Sequence, residues 1–322
     1  MIGLALGGGS ARGWAHIGVL RALNNAGIHP DIVAGTSIGA VVGGCYVAGH
    51  LDALEQFART LTRRKVLGFL DFNFSGTGLI TGQRLCDALD ARLREINIEN
   101  LGKRFVAVAT EIGTGHEIWL SRGPIVDAMR ASYALPGIFR PVRINGHWLF
   151  DGALVNPVPV SVCRAFGARY VIAVNVNWDS TSRGAVVLGL EESGIPAAGP
   201  AEDGDYEPVG GVIARNRRAM KKLLQRQLFG RRDNGPGISR VMVEAFNIVQ
   251  DRIARSRLAG DPPDMIISPR LPTFGLFDFH RAEALIACGA VAAQREIDEL
   301  RRDIDSHRGG TAAAAERMGP RD

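Results

Sequence analysis

The strongest constraint on this chain is the pentapeptide Gly35-Thr36-Ser37-Ile38-Gly39, which links a short apolar run to a segment of small residues. Residues 31–34 predict a buried strand and residues 38–49 predict a helix. A strand that turns sharply into a helix through Gly-x-Ser-x-Gly is typical of a nucleophile elbow, whose serine hydroxyl projects from a strained backbone. The start of the helix also presents unpaired N–H groups beside this serine. Five-residue patterns often occur by chance, so the interpretation depends on the surrounding strand and helix.

A second glycine-rich turn, Gly7-Gly8-Gly9-Ser10-Ala11-Arg12-Gly13, precedes the elbow. Residues 2–6 predict a strand before it and residues 11–26 predict a helix after it. With the elbow, these segments form a βαβα unit, which implies parallel strands and a right-handed crossover.

Three interpretations of this turn compete. A dinucleotide fingerprint is weak, because Arg12 stands where the last glycine of Gly-x-Gly-x-x-Gly should be. A P-loop is excluded, because no Gly-Lys-Ser/Thr follows. An oxyanion hole, in which consecutive backbone N–H groups converge on developing negative charge, fits best with the elbow that follows.

A serine hydroxyl is a poor nucleophile unless a neighbouring base takes its proton. None of the seven histidines lies in an evident strand-end loop after an acid, so we expect solvated or capping roles for all of them. Asp151 is the better candidate, because it ends a predicted hairpin over residues 142–150 and precedes a glycine. An ordinary Asp-Gly turn is the alternative at this position.

The blocks Gly7 to Gly13, Gly35 to Gly39 and Asp151-Gly152-Ala153, in that order, resemble the three signature blocks of patatin-like phospholipases, the small bacterial members above all. Arg130-Ala131-Ser132 with Leu135-Pro136-Gly137, and residues 279–289, are also similar to that group. The resemblance covers residues 1–178 and about 262–295, and the stretch between them has no recognisable counterpart.

This resemblance implies a Ser–Asp dyad on a three-layer α/β/α fold with a mainly parallel central sheet. Ser37 would be the acylated nucleophile and Asp151 the general base. The turn would supply the oxyanion hole through the backbone N–H groups of Gly8, Gly9 and Ser10, with Arg12 fixing the loop or adding charge, and Gly35 and Gly39 would shape the elbow. One departure is Leu6, where many members carry an acidic residue. No metal or organic cofactor is expected.

The predicted organisation is a catalytic domain interrupted by inserts. Residues 1–178 and 262–305 form the predicted catalytic domain, and the apolar content of 46% for the whole chain is ordinary for a globular protein. Residues 179–211, rich in Gly, Ala, Pro, Ser and acids, predict a flexible acidic insert. Residues 212–260 predict a basic helical insert, and 306–322 predict a disordered tail.

The stretch Arg215–Arg232 contains eight Arg or Lys residues and no acid. A basic amphipathic helix can lie on anionic lipid, and an ordinary surface helix with a solvated charged side is an equal alternative. Nucleic acid is not expected as a partner, since no binding motif accompanies the charge.

The expected compartment is the cytoplasm, with peripheral contact at the inner membrane left open. The four cysteines lie far apart, so neither a disulfide framework nor a zinc site is indicated. The N-terminal apolar run is too short for a signal peptide, and the sequence has no run of 18 apolar residues.

The expected function is serine-dependent hydrolysis of a carboxylic ester in a lipid, with a phospholipid as the substrate. A non-phospholipid esterase or thioesterase with the same residues is one alternative. A membrane-associated regulatory protein with little activity is the other.

Overall fold

The computed structural model describes residues 1–63, 65, 93–177, 238–271 and 273–317. The chain divides into two compact units. One comprises Met1–Thr181 with Phe246–Asp322, and the other comprises Ser182–Ala245. Of the second unit, only residues 238–245 are described, as the first turns of a long helix.

Among the described residues, the larger unit is organised around one eight-stranded sheet in the order β5-β6-β3-β2-β1-β7-β8, with β4 also paired to β3. Strands β3, β2, β1, β7 and β8 run parallel to one another. Strands β4 and β6 each pair antiparallel with β3, and β5 pairs antiparallel with β6. The strands are β1 (Ile2–Leu6), β2 (Ile32–Thr36), β3 (Arg104–Glu111), β4 (Glu117–Leu120), β5 (Val142–Ile144), β6 (His147–Asp151), β7 (Tyr170–Val174) and β8 (Met265–Ile267).

Helices cover both faces of this sheet. In the described residues they are α1 (Ala15–Asn25), α2 (Ile38–Val47), α3 (Leu51–Thr60), α4 (Ile125–Ser132), α5 (Val160–Ala165), α6 (Ile238–Gly260) and α7 (Ala282–Arg317). Alternate residues of a strand point to opposite faces. Leu4 and Leu6 of β1 therefore join the core under α1, α2 and α7, whereas Ala5 joins the core under α5 and α6. The expected three-layer fold with a mainly parallel sheet is confirmed.

Helices α1 and α7 pack closely because each has a glycine at their contact. A Cβ atom added to Gly18 would lie 1.9 Å from the carbonyl oxygen of Ile286, and one added to Gly289 would lie 1.9 Å from that of Ala15. Any side chain at either position would therefore push the helices apart. This contact fixes the terminal helix against the helix that follows the glycine-rich turn.

Several boundaries differ from those expected. The helix predicted from residue 11 begins as a 3₁₀ turn, Ser10–Trp14, before α1. Helix α7 continues to Arg317, although the Gly, Ala and Arg composition after residue 305 predicts a disordered tail. The larger unit also takes in residues 246–260, which the sequence predicted as part of the basic insert, because Ala254 and Leu258 of α6 are buried in its core.

The acidic insert over residues 179–211 and the basic stretch Arg215–Arg232 lie outside the described residues. Within the described part of the chain, no helix is both long and apolar enough to cross a membrane.

Candidate active site

Ser37 lies in the sharp turn between β2 and α2. Its φ of 56° and ψ of −125° place a non-glycine residue in a conformation that ordinarily favours glycine. The turn is tight enough that a Cβ atom on Gly39 would lie 2.2 Å from the carbonyl oxygen of Leu6, and one on Gly35 would lie 2.5 Å from that of Gly39. Both predicted elbow glycines are therefore required for close backbone approach.

Ser132, at the end of α4, holds this turn in place. Its hydroxyl accepts a hydrogen bond of 2.9 Å from the Ser37 N–H and donates one of 2.6 Å to the carbonyl oxygen of Val108 in β3. Ser132 is fully buried, so it fixes the backbone of Ser37 without using solvent-exposed groups. In the sequence, Ser132 stands in one of the blocks shared with the family, and no role was predicted for it.

Strand β3 brings Ser37 and Asp151 together, although 114 positions separate them in sequence. Val108 pairs with Thr36 at the end of β2, and the next residue, Ala109, pairs with Asp151 at the end of β6. The Ser37 hydroxyl donates a hydrogen bond of 2.6 Å to Oδ2 of Asp151. This geometry supplies a nucleophile and a proton acceptor in direct contact.

The carboxylate of Asp151 is buried, with only 1% of the residue exposed. Its second oxygen, Oδ1, accepts a hydrogen bond of 2.9 Å from the Ala153 N–H, which orients Oδ2 toward Ser37. Desolvation raises the pKa of Asp151 to about 7, against the opposing effect of the hydrogen bonds from Ser37 and Ala153. A base with this pKa can both accept and return a proton near neutral pH.

The glycine-rich turn approaches Ser37 with its backbone fixed from two sides. The Gly7 N–H donates to the carbonyl oxygen of Val174 at 3.0 Å, and the Gly8 N–H donates to that of Pro157 at 2.9 Å. On the other side, the Asn177 side-chain amide donates to the Gly8 carbonyl oxygen at 3.0 Å.

These hydrogen bonds remove Gly8 from the three backbone N–H donors expected in the oxyanion hole. Because the Gly8 N–H is bonded to Pro157, it is not free to meet an oxyanion. The Gly9 and Ser10 N–H groups have no acceptor among the described residues. Since the peptide unit is planar and trans, fixing the Gly8 carbonyl turns the Gly9 N–H to the opposite side. Gly9 and Ser10 are therefore the available donors of this turn.

The elbow itself offers a further candidate donor. The first N–H groups of a helix have no intrahelical acceptor, and α2 begins at Ile38, directly after Ser37. In other nucleophile elbows the residue after the serine contributes to the oxyanion hole. The expected unpaired N–H groups of this helix thus lie beside the hydroxyl.

Arg12 ties the turn to two distant segments. Its Nε donates to the carbonyl oxygen of Phe274 at 2.9 Å, and its Nη1 donates to Oδ1 of Asn177 at 3.3 Å. Asn177 in turn holds Gly8. Of the two roles expected for Arg12, fixing the loop is the one that these bonds support.

His16 is the histidine that differs most from expectation, because it is fully buried rather than solvated. Its Nε2 lies 2.8 Å from the carbonyl oxygen of Gly7 and must carry the proton of that hydrogen bond. Desolvation lowers the pKa of His16 to about 4, against the opposing effect of the bond to Gly7, so the ring is neutral at pH 7. His16 therefore supports the glycine-rich turn and is not the base for Ser37.

Asn177 and Pro157 also hold the glycine-rich turn, although no role was predicted for either from the sequence. Both follow buried segments at the same edge of the sheet as the turn, but neither stands in a motif that would single it out. No group of three or more His, Cys, Asp or Glu side chains with metal-binding geometry occurs among the described residues.

Comparison with known proteins identifies the family of this chain. A family model described as patatin-like phospholipase matches residues 4–164. An uncharacterised NTE family protein of Mycobacterium tuberculosis is 32% identical over 358 aligned residues, covering 96% of this chain and 95% of its own length.

Two eukaryotic relatives share a shorter region with this chain. The lysophospholipase nte1 of Emericella nidulans is 33% identical over 190 residues, which cover 57% of this chain and 12% of the relative. The neuropathy target esterase sws of Drosophila melanogaster is 33% identical over 181 residues, which cover 54% of this chain and 13% of the relative.

Proposed function

Because the chain belongs to the patatin-like phospholipase family, we propose that it is a serine-dependent lipid acyl hydrolase that cleaves carboxylic esters of phospholipids. Ser37 and Asp151 form its catalytic pair. The observation that carries this proposal is the 2.6 Å hydrogen bond from the Ser37 hydroxyl to a buried carboxylate. The relatives described as a lysophospholipase and as an esterase support the same reaction class.

In the first half of the reaction, Oγ of Ser37 attacks the carbonyl carbon of the ester while its proton passes to Oδ2 of Asp151. The carbonyl oxygen becomes an oxyanion, which accepts hydrogen bonds from the Gly9 and Ser10 N–H groups. The intermediate then collapses. The bond to the leaving alkoxide breaks, Asp151 returns the proton to that oxygen, and the acyl group stays on Ser37.

In the second half, a water molecule replaces the alcohol. Asp151 takes a proton from the water, the hydroxide attacks the acyl carbon, and the same donors hold the second oxyanion. Collapse releases the fatty acid and restores the Ser37 hydroxyl with the proton from Asp151. The pKa of Asp151, near 7, suits a group that must accept and return a proton in both halves.

The test is a panel of substrates offered to the purified protein and to Ser37→Ala. It comprises a diacyl phospholipid, a lysophospholipid, a triacylglycerol, an acyl thioester and a p-nitrophenyl ester. We expect free fatty acid from one or both phospholipid substrates and no turnover above background in Ser37→Ala. Exclusive turnover of the thioester or the triacylglycerol would favour the alternative esterase or thioesterase. Unchanged turnover in Ser37→Ala would refute the mechanism.

We also propose that the basic stretch Arg215–Arg232 brings the enzyme to an anionic membrane surface. Its eight cationic side chains and no acids support this proposal. Co-sedimentation with vesicles should increase when phosphatidylglycerol is included and decrease in Lys221→Glu/Lys222→Glu. Vesicle binding that does not depend on the charge of the lipid would overturn this proposal. Membrane binding without any ester hydrolysis would favour a regulatory protein instead.

A further inference from the structure

Helix α6 places an unpartnered amide beside the candidate nucleophile. Gln250 is 3% exposed, and its Nε2 makes no hydrogen bond to any described residue. A buried amide donor is ordinarily satisfied, because leaving it unpaired is unfavourable. A buried donor without a partner therefore calls for a ligand that supplies the acceptor.

The position of this amide is defined by Gly8. A Cβ atom added to Gly8 would lie 2.7 Å from Nε2 of Gln250 and 3.4 Å from Cβ of Ser37. The distance between Nε2 of Gln250 and Cβ of Ser37 is therefore no more than the sum of these two distances. Both lie on the side of Gly8 from which a Cβ atom would project, and an acyl carbon attacked by Ser37 must bind close to that serine.

The part of α6 that carries Gln250, residues 246–260, belongs to the larger unit and packs in its core. Ala254 and Leu258, one and two turns further along α6, are buried in the core that includes Val160 of α5. Arg257 forms an ion pair with Glu117 of β4 at 2.9 Å. A side chain held by such a helix is positioned before substrate arrives, as a preorganised donor requires.

We propose that Gln250 is a catalytic residue whose Nε2 donates a hydrogen bond to the oxyanion, beside the Gly9 and Ser10 N–H groups. The proposal rests on the proposed function, because it takes Ser37 as the nucleophile. It adds a donor from α6, which lies outside the matched residues 4–164. The substrate oxygen supplies the acceptor that the amide lacks.

The test compares Gln250→Met, which keeps the length of the side chain but removes the donor, with Arg252→Met. Arg252 is exposed on the same helix, so this control introduces the same side chain away from the site. We expect Gln250→Met to lower kcat for a p-nitrophenyl ester by about 100-fold with little change in KM. Labelling by a fluorophosphonate, whose phosphoryl oxygen occupies the same hole, should slow in parallel, and Arg252→Met should match the wild type.

Thermal unfolding separates this role from a structural one. Removing an unpaired buried amide should leave Tm unchanged or raise it, so a loss of kcat without a loss of Tm supports the proposal. A wild-type kcat in Gln250→Met would overturn the proposal. A rise in KM at constant kcat would also overturn it, because the amide would then contact a part of the substrate that does not react. Full activity in Ser37→Ala would instead refute the proposed function itself.

Discussion

Replacing Asp151 by Asn should abolish activity and stabilise the protein at the same time. Asparagine has nearly the same shape, and its amide can still accept from the Ala153 N–H and hydrogen-bond to the Ser37 hydroxyl, so the packing of the site is kept. It cannot accept a proton, and we expect turnover to fall by about 100-fold or more. It also cannot ionise, which removes the unfavourable burial of a carboxylate.

The size of the stabilisation follows from the pKa of Asp151, which burial raises from 3.8 to about 7. Each unit corresponds to about 1.4 kcal/mol, so ionised Asp151 makes the folded state less stable by about 4 kcal/mol above pH 7. The folded protein binds the Asp151 proton more tightly than the unfolded chain does. The stability that this protonation provides is therefore fully present below pH 4 and is lost as the pH rises through 7. Asp151→Asn does not titrate, so its stability should not fall in this way.

The assay is urea unfolding of the wild type and of Asp151→Asn, followed by circular dichroism from pH 4 to pH 8. The difference in unfolding free energy should be small at pH 4 and should grow to about 4 kcal/mol in favour of the variant at pH 8. Asp298→Asn, which alters an exposed carboxylate on α7, controls for the loss of one charge. A difference that stays constant across this range would show that the folded protein does not raise the pKa of Asp151.

Three further predictions address the base, the elbow and the helix contact. The kcat/KM for a neutral ester should rise with pH up to about 7 and then level off, because the Asp151 carboxyl must be ionised to accept the proton; a flat profile from pH 5 to 9 would contradict this. Ser132→Ala should lower both kcat and the unfolding free energy, the latter by about 1–3 kcal/mol, because it removes the acceptor of the Ser37 N–H. Wild-type values for both quantities would count against that role. Gly18→Ala should lower Tm, because the added Cβ would lie 1.9 Å from a backbone oxygen of α7. Gly102→Ala is the control, since a Cβ atom there meets no other atom within 4 Å and should leave Tm unchanged. Equal Tm values for the two variants would contradict the close contact between α1 and α7.

The sequence predicted the strands of the sheet well where each is a continuous apolar run. Strands β1 and β2 are buried throughout, so burial on both faces leaves a clear signal in composition. The terminal helix is longer than predicted, because the Gly- and Ala-rich residues after 305 carry no apolar periodicity to indicate a helix.

The site was predictable only where residues stand in motifs. Ser37 and Asp151 were singled out by their blocks, but their contact depends on consecutive pairing positions of β3, which no local pattern reveals. The roles of Asn177 and Gln250 arise from tertiary contacts alone. His16 was misjudged because a histidine on an amphipathic helix gives no sign of the buried carbonyl oxygen that it meets.

The most direct test of the central claim is mass spectrometry of the protein after reaction with a fluorophosphonate. We expect one adduct, on the peptide containing Ser37, with no adduct in Ser37→Ala and much slower labelling in Asp151→Asn. An adduct on another residue, or labelling of Asp151→Asn at the wild-type rate, would show that this serine and carboxylate do not work as a nucleophile and its base.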